Sequence, residues 1–347
     1  MAYCAVPSSV TVRVPASTSN LGSGFDCIGV AVDRWLTVSG RLGGSSITIE
    51  REGTLDDLAL SPEQDRLVAG FNAACDAAKV TMPAGFTLRA RSDIPVGRGL
   101  GSSASALVAG GALANALLEL GLSNDALADA CSLVEGHPDN VAASVRGGAV
   151  LALRTPETTM AGGPRVPRGG LIVRPLVMHE SLSLIFAIPS FAISTAQARS
   201  ALPPMITHST AREAIARSAA LVCGLESGDH RLLRAALDDL LHVPYRRTLV
   251  AGYDAVTVAA MNGGALGATL SGAGSAVVAI APREAASHVE KLMARAWRGS
   301  GGGDSVVTFQ DDGHTRGYHF IEALSPTGGA YPAAADHTAV RPAPKGG

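Results

Sequence analysis

Lysine is almost absent from this chain: residues 79, 291 and 345 are its only three lysines, against 25 arginines. None of them follows a glycine-rich stretch, which excludes a Walker A loop with its Gly-Lys-Ser/Thr ending. Charge of either sign is scarce, at 17% of residues with a formal net charge of -2. No basic surface for nucleic acid or for an anionic membrane follows from such a balance. The five cysteines (Cys4, Cys27, Cys75, Cys131, Cys223) are odd in number and unpaired in spacing. That argues against a disulfide framework or a zinc site and fits a reducing compartment. Long apolar runs are missing too: the longest, residues 107–118, is broken by glycines and Asn115 and is too short to span a bilayer. The first fifteen residues lack the basic start and apolar core of a signal peptide. A cytoplasmic protein with neither nucleic acid nor membrane as partner is expected.

What is present is small and apolar. Of 347 residues, 47% are hydrophobic and 40 are glycine, enough for two domains with real cores. The apolar surplus fits a homodimer. Glycine clusters most tightly at Pro95-Val96-Gly97-Arg98-Gly99-Leu100-Gly101-Ser102-Ser103-Ala104-Ser105. Upstream, Phe86, Leu88 and Ala90 alternate with Thr87, Arg89 and Arg91 as in a half-buried strand; downstream runs a small-residue apolar helix. Strand, glycine loop and helix start together make an anion site, because glycines turn N–H groups inward and the helix end adds positive potential. A turn that merely packs a helix against a strand is the plainer alternative. Three other segments disfavour it.

These are Pro15-Ala-Ser-Thr-Ser-Asn20-Leu-Gly-Ser-Gly-Phe-Asp26, Glu135-Gly-His137-Pro-Asp139-Asn140 and Leu270-Ser-Gly272-Ala-Gly274-Ser. In this order and spacing, with the loop at 95–105, they resemble the motifs of the small-molecule kinases named for galactose, homoserine, mevalonate and phosphomevalonate (GHMP). The resemblance runs over residues 10 to 325. It narrows to the homoserine kinases through Ile193-Ser-Thr195-Ala-Gln-Ala-Arg199, continuing to Pro203, and through Pro244-Tyr245-Arg246. Ser23 stands where a proline is more usual.

The resemblance implies an α+β chain: a nucleotide-binding domain at residues 1–165 with the fold of ribosomal protein S5 domain 2, and a ferredoxin-like domain at 166–330. A disordered tail is expected over 331–347. ATP, with Mg²⁺, is implied over residues 95–105, where backbone N–H groups grip phosphate and the Arg98 side chain points to solvent. Mg²⁺ falls to Glu135 with Ser102 or Ser103, one serine capping the helix and the other nearing the metal. L-homoserine is the implied substrate. Its carboxylate goes to Arg199 and Arg246, its ammonium to Asp26 with Asn140, and its reacting hydroxyl to Asn20. His137, Thr195 and Gly274 complete the substrate set. Asp139 is either a general base or a positioning group, and Asn140 falls where mevalonate kinases place a catalytic aspartate. A loose phosphoryl transition state needs little nucleophilic push. A kinase for another small alcohol and a catalytically silent ligand-binding relative remain open.

Periodicity and punctuation predict strands near 10–14, 28–38, 45–51, 85–91 and 148–154, with helices at 63–79, 103–120, 124–135 and 138–145. A turn or linker at 161–170 precedes a strand at 182–188 and helices at 194–202, 208–227, 229–242 and 249–261. A strand, glycine loop, strand, helix (282–297) and final strands close the pattern, which suits a split βαβ layer. Cys27 is read as small apolar filler, and His208, His230 and His242 as surface or capping residues near helix ends.

Overall fold

Two long paired strands organise the first half of the chain. The computed structural model describes residues 9–155, 170–300, 303 and 305–324. β1 (Ser9–Asn20) and β2 (Gly24–Leu42) form an antiparallel pair, with Val10, Val12 and Val14 buried on the core face. β1 runs six residues past its predicted end. Ser17, Thr18, Ser19 and Asn20 read as loop residues, yet all four are buried. Their polar groups find partners inside the protein, so the strand continues. β2 shifts register where Pro15 and Ala16 face Trp35 and Val32. Its first part pairs with β5 (Ala149–Arg154) and its last with β4 (Phe86–Ser92), which runs parallel to β3 (Ile47–Gly53).

Two further strands complete this seven-stranded sheet: β6 (Leu171–Leu176) beside β5, and β11 (His319–Leu324) beside β1. Both lie beyond residue 165, so the sheets do not divide where the sequence reading divided the domains. α1 (Arg66–Ala78), α2 (Ser102–Leu117), α3 (Asn124–Glu135) and α4 (Asp139–Arg146) pack on this sheet. α2 is buried on nearly every side (Leu107, Val108, Ala109, Ala112 and Leu113 at 0% exposure), as a helix apolar all round must be.

The second sheet holds β7 (Leu182–Ile188), β8 (Gly267–Leu270), β9 (Val277–Pro282) and β10 (Val307–Asp311) in the antiparallel order β10-β7-β9-β8. With α9 (Tyr253–Asn262) between β7 and β8, and α10 (Ala286–Arg298) between β9 and β10, this is the ferredoxin-like arrangement the pattern predicted. β7 is buried along its whole length. Leu184 and Phe186 join the core of the first half, while Ile185 and Ala187 join a core beneath α9 and α10.

α5 (Thr195–Ser200), α6 (His208–Ser227), α7 (His230–Ala236) and α8 (Val243–Arg246) fill the connection from β7. The helix predicted over 229–242 stops at Ala236. The Asp239 carboxylate draws off the backbone N–H groups of Leu241, His242 and Val243 (3.1, 2.7 and 2.7 Å) and starts α8 instead. The helix predicted from 249 begins at Tyr253. The predicted tail, and all but residue 170 of the predicted linker, lie outside the described residues. Among the described residues no helix is long and apolar enough to cross a membrane.

Candidate active site

Four segments that are far apart in sequence close around one cavity of about 240 Å³. They are the end of β1, the glycine loop before α2, the α3–α4 junction and the turn at 271–276. α5 and α8 form its far wall.

In the glycine loop, Gly97, Gly99 and Gly101 all have positive φ (69°, 75° and 65°). Gly101 is the N-cap of α2, and no side chain caps that end. The predicted serine cap is therefore not made, and the helix presents an uncapped positive end beside the cavity. Ser102 and Ser103 line the wall, and the Ser103 hydroxyl donates to Glu135 Oε2 at 2.7 Å. Val96, Gly97, Gly99 and Gly101 line it as well, whereas Pro95, Arg98, Leu100, Ala104 and Ser105 do not. Leu100, Ala104 and Ser105 are buried under the loop, Ser105 donating to the Pro15 carbonyl at 2.7 Å.

The Arg98 side chain does not point to solvent. Its guanidinium donates to the carbonyls of Val96 and Ser190, tying the loop to the end of β7. Ile193 N–H reaches Gly97 O (3.2 Å), and from the 271–276 turn Ser271 Oγ donates to Gly99 O (2.7 Å) and Ala276 N–H to Arg98 O (3.1 Å). The loop is thus stitched to the second half of the chain along its length.

Asn20 stands at the cavity edge with φ of 74°. Its amide nitrogen donates to Gly272 O at 2.8 Å and its oxygen accepts the Asp26 N–H at 2.9 Å, so it cross-links two motifs. Asn140 is equally engaged, accepting from Ser17 Oγ and donating to Ser19 Oγ, both at 3.0 Å. Asp139 Oδ1 meets the His137 Nδ1 at 2.7 Å and accepts the Asn140 N–H at 2.7 Å, whereas its buried Oδ2 has no partner among the described residues. Burial alone would lower the His137 pKa, but the hydrogen bond and charge of Asp139, with Glu135 and Asp26, outweigh it and raise it above its ordinary value.

The cationic side is asymmetric. Arg199 grips Asp26 through two parallel bonds of 3.1 Å, both side chains being about a third exposed. Arg246 is only 2% exposed, with Nε donating to Ala198 O at 3.1 Å and its guanidinium 5.1 Å from the Phe25 ring centre. No carboxylate among the described residues lies within 4.0 Å of it, although it lines the cavity with Thr195, Ala273 and Gly274. Burial lowers its pKa from the ordinary value, yet a guanidinium stays charged.

Two family models match the chain, the GHMP kinases N terminal domain over residues 66–148 and the GHMP kinases C terminal domain over residues 216–299. The homoserine kinase of Trichormus variabilis is 38% identical over 297 residues, covering 85% of this chain and 94% of that protein. The chain belongs to the homoserine kinases of the GHMP kinase family. The homoserine kinase of Gloeobacter violaceus is 37% identical, covering 82% of this chain and 92% of that one. Among solved structures, homoserine kinase from Cytophaga hutchinsonii superposes with a TM-score of 0.77 at 26% identity, covering 92% of this chain and all of that one. Mevalonate kinase from L. major shares the fold, with a TM-score of 0.62 at 16% identity.

Sequence reasoning missed three parts of this homoserine kinase site. One is an apolar cavity of about 280 Å³ that shares Val96, Ser102 and Ser103 with the first and is walled by Leu36, Leu55, Leu58 and Ile94. Leucines scattered over 36–60 carry no motif, so only the fold assembles them. The second is Ser19, whose hydroxyl holds Asn140. The third is His242, which is fully buried rather than a surface residue. Cys27 is half-buried, and burial pushes its thiol up to about 11, so it is a protonated packing group.

Proposed function

We propose that the chain transfers the γ-phosphoryl group of ATP to the side-chain hydroxyl of L-homoserine, giving ADP and O-phospho-L-homoserine. One observation carries the reading: Arg246 is a buried cation on the cavity wall without a carboxylate among the described residues to pair with. A charge kept out of water is costly unless it is paired. A substrate carboxylate supplies the partner, and a guanidinium binds one through two parallel bonds. The Arg199–Asp26 pair at the rim offers a second cation for that carboxylate and an anion for the ammonium.

The nucleotide fits the neighbouring features. The uncapped start of α2 and the positive-φ glycine loop before it suit the phosphates. The adjoining apolar cavity suits a flat base, in keeping with the apolar lining of most nucleotide and small-ligand sites. Glu135 and Ser103, joined at 2.7 Å, form the kind of carboxylate and hydroxyl oxygen set that Mg²⁺ shares with substrate phosphates. When bound there, Mg²⁺ neutralises charge on the phosphate oxygens. Asp139 is assigned a positioning role, its Oδ1 orienting His137 and the start of α4 at the Asn140 N–H. The loose transition state makes the absence of a dedicated base tolerable. A cytoplasmic setting is supported by Cys27, Cys75, Cys131 and Cys223, all free thiols.

The test measures ADP release with ATP, Mg²⁺ and a panel of alcohols, in the wild type and in Arg246→Leu. Removing one member of a buried charge pair costs on the order of 2–5 kcal/mol, so KM for L-homoserine rises at least tens-fold while KM for ATP stays put. Turnover of another alcohol but not L-homoserine, or equal loss for charged and uncharged acceptors, refutes the assignment.

A further inference from the structure

Behind Arg246 lies a buried polar chain that the reaction itself does not use. His242 Nε2 sits 3.1 Å from the carbonyl oxygen of Gly22, at the turn between β1 and β2. Its Nδ1 faces Arg246 Nη1 at 3.5 Å, at the outer limit of a hydrogen bond. The two neighbours dictate one tautomer. A carbonyl can only accept, so Nε2 carries the proton; a guanidinium can only donate, so Nδ1 presents its lone pair. The Phe25 ring stacks on the imidazole at 5.0 Å and 18°, and carries Arg246 over its face.

We propose that neutral His242 is a positioning residue that holds the Arg246 guanidinium at the angle needed to receive the substrate carboxylate. The inference rests on the assignment of Arg246 to that carboxylate. The charged groups that face the imidazole pull in opposite directions. Arg246 opposes a second positive charge, whereas Asp239, with Oδ2 3.7 Å from Nε2, and Asp26 favour one. Asp239 Oδ2 already accepts the N–H groups of His242 and Val243 at 2.7 Å each, which takes up its capacity. Burial, the largest influence, lowers the His242 pKa. The position of α8 is set by the same carboxylate, so one buried residue starts the turn that brings His242 and Arg246 together, four residues apart on one face.

Two substitutions separate the two ring nitrogens. His242→Asn keeps an acceptor where Nδ1 stands; His242→Gln keeps a donor where Nε2 stands and takes the acceptor away from Arg246. His242→Gln is expected to raise KM for L-homoserine roughly tenfold or more, as loss of a hydrogen bond to a charged group does. KM for ATP and kcat stay within about twofold, and His242→Asn restores KM for L-homoserine to within about threefold of wild type. Equal KM for L-homoserine in the two variants overturns the proposal, and so does a KM for ATP that climbs in step. Adding His242→Gln to Arg246→Leu should raise KM no further; an additive rise also overturns it. Should the variants fail to fold, ¹⁵N chemical shifts of the wild-type ring decide. A neutral Nε2–H imidazole supports the proposal, and a charged or Nδ1–H ring ends it. If Arg246→Leu leaves KM for L-homoserine unchanged, the carboxylate assignment fails instead, and the ring nitrogens of the wild type show that separately.

Discussion

Ser23 stands where the family more usually has proline, and its surroundings show both what serine gains and what it loses. Its N–H donates to Ala236 O at 3.2 Å, a bond proline could not make. Its hydroxyl, in a residue 4% exposed, has no partner among the described residues. An unsatisfied buried hydroxyl costs on the order of 1–3 kcal/mol, so Ser23→Ala should raise stability by about 1 kcal/mol, read from the urea midpoint. A lowered midpoint would mean that the hydroxyl is satisfied. His242 gives a second prediction, in pH. Its pKa is lowered in the native state, so between that pKa and the ordinary value of about 6.5 the unfolded chain binds more protons than the folded one. Stability then rises with pH through this window and falls on acidification. The difference in Tm between wild type and His242→Asn should grow as pH is raised from about 5 to 7 and level off above it. A difference that ignores pH would contradict the lowered pKa. Arg246 was legible from its Pro-Tyr-Arg setting. His242 was not, because a histidine four residues earlier reads the same in sequence whether it is buried or exposed.

At the level of elements, periodicity found almost every helix and strand, and errors gathered where polar side chains took over the backbone. β1 outran its prediction because Thr18 and Ser271 hydroxyls pair at 2.8 Å, and Ser17 and Ser19 pair with Asn140, inside the core. The helix after 229 broke because Asp239 captured three N–H groups. Neither event leaves a trace in hydrophobic spacing. The start of α2 depends on a glycine in the same way. A Cβ at Gly101 would meet the buried end of β1, lying 2.2 Å from Ser17 Oγ and 2.9 Å from Ser17 O. Gly101→Ala should therefore lower the melting temperature before it alters nucleotide affinity, since a clash with buried backbone joins the strain of positive φ. An unchanged melting temperature with a raised KM for ATP would contradict this.

On the scale of the whole molecule, the two halves are not independent lobes. Leu182, Leu184, Phe186 and Ile188 of β7 share one apolar cluster with Val10, Val12 and Val14 of β1 and with the buried face of α2. The glycine loop and the 271–276 turn are joined through Ser271 and Ala276, and the turn is joined to β1 through Gly272. Residues 1–176 produced alone should accordingly be insoluble or aggregated, as judged by sedimentation, because β1 would lose its partner β11 and expose a strand edge. A soluble, monomeric fragment with a cooperative melt would refute this. The pairing of β1 with β11 also has a consequence in time. The ribosome completes β1 at residue 20 and β11 only at residue 324. At about 5–20 residues per second, the strand that ends in Asn20 waits roughly fifteen seconds to a minute for its neighbour. Through that interval the nascent chain carries a strand with one edge uncovered, and the active site cannot close until the 271–276 turn has been made.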